Sequence, residues 1–144
     1  MTQEDYNSIC NTFQSFLKEL YDWNIFCNKI EKDTSLSNDE IQRRQKSKIA
    51  DIVTKHCTSK KRVQDIPNCI SYYVMSENDK AIQENILRIE ESVTNKAILY
   101  SKREDTLQSE YQYVFIRKNS KWLIDSKKRY SQFKQKWVSA SLGE

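Results

Sequence analysis

The chain of 144 residues is 38 % hydrophobic and 31 % charged, with a formal net charge of +4. That composition suits one ordinary domain, 1–144, able to bury a core without disulfides or a metal, and its eight Tyr, five Phe and three Trp exclude a disordered chain. A single Gly, Gly143, excludes glycine-rich phosphate loops and nucleophile elbows from the preceding residues, because those motifs need Gly where the backbone bends sharply or meets a ligand.

The polar, acidic start has no apolar h-region, and no window approaches the roughly 18 apolar residues of a membrane span, so a cytoplasmic location away from membranes is expected. Ile9, Phe13, Phe16, Leu17 and Leu20 form one helical stripe from about Asp5, continued by Tyr21, Trp23, Ile25, Phe26 and Ile30. After a polar break at 33–38, Ser37 followed by Glu40 predicts a capping box. It opens a second helix to about Cys57, with Ile41, Ile49, Ile52, Val53 and His56 inward. Segment 69–75 fits a short strand or a third short helix, and periodicity does not choose between them.

From near position 70 the period falls to two. Strands are predicted around 82–91 and 94–102, then a hairpin of 110–117 and 121–130 across Lys118-Asn119-Ser120. The segment 133–142 closes the chain as a strand or a short helix. In the hairpin, Trp122 and Ile124 share a face and are expected to plug the core. Asp125 lies among apolar neighbours, and alternation puts it on the face of Lys127 and Arg129, which suggests a surface ion pair. The fold class expected is α+β, with N-terminal helices packed into the concave face of a curved, mainly antiparallel sheet.

No chemistry-bearing cluster emerges. Cys10, Cys27, Cys57 and Cys69 are widely spaced, and the only His, His56, is too little for a structural zinc site. We therefore expect reduced thiols, no metal, no cofactor and no catalytic residue; the protein is not expected to be an enzyme. Charge is segregated. Residues 41–62 hold Arg43, Arg44, Lys46, Lys48, Lys55, Lys60, Lys61 and Arg62 against Asp51, and a second basic block runs from Arg117 to Lys136. No nucleic-acid motif accompanies them, so solvated faces are expected rather than nucleic-acid binding.

Helices followed by a meander that ends in Glu110-Tyr-Gln-Tyr-Val-Phe and Lys121-Trp-Leu-Ile-Asp-Ser resemble the nuclear-transport-factor-2-like superfamily. Over about 84–130 the pattern is most similar to the immunity proteins of that fold from bacterial polymorphic-toxin systems. The resemblance implies an immunity protein that binds and neutralises a cognate toxin domain. The alternatives are a pocket enzyme of the ketosteroid isomerase or polyketide cyclase type, built on a carboxylate or His paired with a Tyr, and a nucleic-acid accessory protein. A homodimer through the sheet is a further option. For a basic toxin the partner-binding residues expected are Glu77, Asp79, Glu84, Glu90, Glu91, Glu104 and Asp105, with Tyr72, Tyr73 and Tyr130 as aromatic anchors. For an acidic toxin they are Arg43, Arg44, Lys127, Lys128 and Arg129.

Overall fold

Thr2 starts the first helix. Its Oγ1 accepts from the Asp5 N–H at 3.0 Å, and the Asp5 carboxylate accepts from the Thr2 N–H at 3.1 Å. This reciprocal pair satisfies two of the free donors of a helix start. The helix, α1 (Gln3–Ile30), buries Ile9, Phe13, Phe16, Trp23, Cys27 and Ile30 along one stripe. Ser37 caps α2 (Asn38–His56) by accepting from the Glu40 N–H at 3.2 Å. The expected return bond from Glu40 gives way to ion pairs with Arg43 and Arg44 at 2.6 and 2.8 Å. Two guanidinium groups one turn away are stronger donors to a carboxylate than a neutral N–H.

The computed structural model describes residues 1–144, which divide into two compact units: 1–13 with 82–142 and 144, and 14–81 with 143. In the helical unit, α2 turns Ile41, Gln45, Ile49, Ile52, Val53 and His56 inward. Gln45 is the polar addition to the predicted stripe: its main-chain oxygen accepts from Trp23 Nε1 at 3.0 Å. Segment 69–75 is neither helix nor strand. Asn24 and Asn28, one turn apart on α1, hold it instead. Asn24 Oδ1 accepts from the Tyr73 N–H at 2.9 Å, while Asn28 donates to the Tyr73 carbonyl at 2.7 Å and accepts from the Met75 N–H at 3.2 Å. Two side-chain amides thus replace the strand that this backbone lacks.

The other unit is a five-stranded antiparallel sheet in the order β1 (Glu84–Val93), β2 (Lys96–Arg103), β3 (Glu110–Lys118), β4 (Lys121–Ser131), β5 (Lys136–Ala140). With the two helices it gives an α+β protein. The closing segment is therefore a strand, paired along β4. The first turns of α1 pack on this sheet, with Phe13 edge-on to Tyr113 at 5.0 Å and Thr12 Oγ1 donating to the Trp122 carbonyl at 3.4 Å. Asn119 and Ser120 form the two-residue hairpin turn with φ of 52° and 63°, the left-handed pair that matches strand twist.

A bulge corrects one expectation. Val114 pairs with Ser126 but Phe115 pairs with Ile124, so Asp125 is the extra residue on β4. The bulge shifts the alternation by one position. Beyond it Lys127, not Ser126, joins Trp122 and Ile124 on the buried face, and Asp125 shares no face with Lys127 or Arg129 by simple alternation.

Candidate functional site

Directly paired residues of an antiparallel ladder share a face, so the register assigns the chemistry of each side of the sheet. The inner face holds a buried polar cluster. Glu84, its side chain 2 % exposed, accepts from Ser101 Oγ at 2.7 Å and from Tyr113 Oη at 2.8 Å through one oxygen, and from Arg103 Nε and Nη2 at 3.2 Å through the other. Lys127 Nζ and Arg103 Nη2 both donate to the Glu144 carbonyl, at 2.8 and 2.9 Å. The Tyr111 ring lies 4.3 Å from Lys127 Nζ and 4.6 Å from the Arg103 guanidinium, a cation–π arrangement on a desolvated ring.

Burial, with the Glu84 charge beside it, pushes the Tyr113 phenol well above its ordinary range, and burial raises Tyr111 as well. For Arg103 burial works against the cation and is the largest single influence, but the Glu84 charge, Tyr111, Tyr113 and the Glu84 hydrogen bond together outweigh it and the net shift is upward. A carboxylate next to a tyrosine is the pairing a pocket enzyme uses. Here both Glu84 oxygens are taken by donors of the chain itself. Acting as a base would require releasing them, so the cluster is built to brace strands β1, β2 and β3.

A second hub lies where α1 meets the hairpin. Asp5 Oδ1 accepts from Trp122 Nε1 at 3.0 Å and from Arg117 Nη1 at 3.3 Å. The Trp122 bond first, then the cap at Thr2, lowers Asp5 to about 2. In the helical unit, buried His56 bonds Glu19 through Nε2 and packs against Phe16. Burial pushes Glu19 up, but His56 and Lys55 outweigh it and the net shift is downward. A cleft of about 790 Å³ in the same unit is lined by Glu31, Asp39, Gln42, Arg43, Lys46 and Tyr72 among others. No group of three or more His, Cys, Asp or Glu is placed to hold a metal ion. The cysteines are free, and burial pushes the Cys27 and Cys57 thiols up to about 12.

The outer face of the sheet differs in kind. Ile98 pairs with Val114, and Ile116 with Leu123, all partly exposed. Beside them Arg88 stacks on Tyr100 at 3.7 Å, Tyr100 meets Trp137 edge-on at 5.9 Å, and Trp137 meets Tyr130 at 5.3 Å. In a flat sheet β2 and β5 would lie about 14 Å apart, so twist and inclined side chains bring these rings together across the strands between them.

The acidic residues expected at a partner surface are dispersed and engaged. Glu77 pairs with Lys29 at 2.8 Å, Glu90 with Arg88 at 2.9 Å, and Glu104 accepts from Asn85 Nδ2 at 2.8 Å. Asp79 accepts from the Ser76 N–H at 2.8 Å and Asp105 from the Ser109 N–H at 3.1 Å, each shaping its own loop. Glu91 pairs with the Met1 nitrogen at 3.2 Å. Glu84 is the inner-face carboxylate. Tyr72 packs edge-on to Trp23, Tyr73 is 56 % exposed, and Tyr130 belongs to the outer aromatic cluster. Of the bases expected to face an acidic toxin, Lys127 is buried on the inner face, Arg129 pairs with Glu144 at 3.1 Å, and Lys128 is exposed on the outer face. The inner cluster escaped sequence reading because nothing in the sequence marks the bulge that turns Lys127 inward.

No helix is long and apolar enough to cross a membrane. A family model described as "NTF2 fold immunity protein" matches residues 9–141. No curated protein and no solved structure matches the chain.

Proposed function

The chain belongs to the NTF2-fold immunity protein family, and from that membership we propose that it binds a cognate bacterial toxin domain and neutralises it by stoichiometric association. The observation that carries this reading is the family match across 9–141, which takes in α1 from Ile9, all of α2 and the whole sheet up to Ala140. The inner cluster supports it: a carboxylate, a tyrosine and two cations satisfy one another there, leaving recognition to the surface. Complementary binding needs only an apolar or aromatic centre with matched charge around it. The protein acts in the cytoplasm of a bacterium that carries a polymorphic-toxin system, without cofactor or turnover. Co-expression with the C-terminal domain of the toxin encoded beside it tests the reading. We expect cells to be rescued and the two chains to co-purify; growth arrest without co-purification would sink it.

A further inference from the structure

We propose that the outer face of the sheet is the toxin-docking surface and that it receives an acidic surface with an apolar centre. The inference rests on the immunity reading and adds the place and chemistry of contact.

The register puts Arg88, Lys96, Lys102, Lys118 and Lys128 on this face against Glu90 and Glu110. Glu90 is matched by Arg88 at 2.9 Å. Lys96, Lys102, Lys118 and Lys128 take part in none of the ion pairs of the structure. Lys102 stands opposite Glu110 in the β2–β3 ladder, which leaves Lys96, Lys118 and Lys128 as a positive surplus, whereas the acids expected at a partner surface are already engaged. At the centre stand the Tyr100–Trp137–Tyr130 cluster and the aliphatic pairs Ile98–Val114 and Ile116–Leu123. Aromatic residues and Arg beside a charged rim are the composition of binding hot spots, and complementary charge speeds encounter and rejects wrong partners.

Two other occupants fit less well. A second copy would set one basic face against another, because a two-fold contact places the same patch on both sides and like charges across an interface are costly. A nucleic acid would use the bases and rings, but it offers the four aliphatic side chains nothing to bury against. An acidic protein surface with apolar side chains at its middle answers both features.

The experiment measures binding of the full chain to the toxin domain encoded beside it, the toxin carrying a substitution that abolishes its activity. Trp137→Ala and Tyr100→Ala should each weaken binding roughly thirtyfold or more. Lys102→Glu with Lys128→Glu should slow association about tenfold or more at low salt and flatten its salt dependence. Circular dichroism and thermal melting of each variant confirm folding, and the lysine pair stands as the test should Trp137→Ala unfold. Glu77→Lys with Asp79→Lys, in the helical unit, serves as the contrast and should leave binding unchanged. Binding that survives the aromatic and lysine substitutions but is lost in this contrast overturns the docking face and leaves the immunity reading intact. Loss of binding in both sets, or self-association through the face in sedimentation, also overturns it, as does tight binding of a single-stranded oligonucleotide that blocks no toxin contact. No binding by the unmodified protein overturns the immunity reading, and the face with it.

Discussion

The two sides of one sheet solve opposite electrostatic problems. On the inner side Glu84, Arg103, Ser101, Tyr113 and Lys127 lie out of water and hold one another at hydrogen-bond distance. On the outer side Lys96, Lys102 and Lys128 are at least partly exposed and form no ion pair within the chain, although Lys102 stands opposite Glu110. A buried charge without a partner is too costly to persist, so the inner face must be self-complementary. A hydrated ammonium costs little by itself, so the outer face is free to be complementary to something else. Polarity alone does not mark a functional surface. Unmatched polarity beside apolar area does.

The sharpest way to break this contrast is Glu84→Ala, which strips acceptors from Arg103, Tyr113 and Ser101 at once. We expect a loss of about 3–5 kcal/mol in urea unfolding. Glu84→Leu with Arg103→Leu should recover part of that loss, because the Arg103 charge is then no longer buried without its partner, although Ser101 and Tyr113 still lose their acceptor; equal damage from single and double variants would refute a coupled pair.

A pH titration sharpens the contrast next. Asp5 is depressed from 3.8 to about 2 when folded. A depressed folded value means its contribution is present above the unfolded value and is lost as pH falls through the folded one. The denaturation midpoint should therefore fall between pH 3.8 and about 2, and Asp5→Asn should flatten that part of the curve. An unchanged slope would show that the Trp122 and Thr2 bonds do not hold Asp5 in solution.

At the turn between β3 and β4, Ser120 stands at φ 63° where Gly is easier. Ser120→Gly should stabilise by about 0.5–1 kcal/mol, read as a higher urea midpoint at unchanged slope. The smallest effect belongs to the outer face. Lys102→Glu with Lys128→Glu should change stability by no more than about 0.5 kcal/mol while altering partner binding. A large loss of stability would mean these lysines brace the fold, as Lys127 does.

The sequence alone determined most of the elements, because local period and capping are local properties. The stripe of Ile9, Phe13 and Phe16, the Ser37 cap and the alternation of Tyr111, Tyr113 and Phe115 are carried by neighbouring residues and survive in the structure as predicted. The α+β class and the family resemblance followed from their order, and the match across 9–141 agrees with both. Tertiary structure decided what depends on partners distant in the chain. Segment 69–75 is neither helix nor strand, and Asn24 and Asn28 bind its backbone from 45 to 49 positions away. The segment 133–142 yields β5 because β4 offers it a ladder. Glu84 is an inner carboxylate because Ser101, Arg103 and Tyr113 come from two other strands. The most consequential decision was the bulge at Asp125, one extra residue in the β4 register that sends Lys127 inward and leaves Lys128 outward. Alternation cannot foresee it, since a bulge is set by how two strands fit each other and not by either strand's sequence.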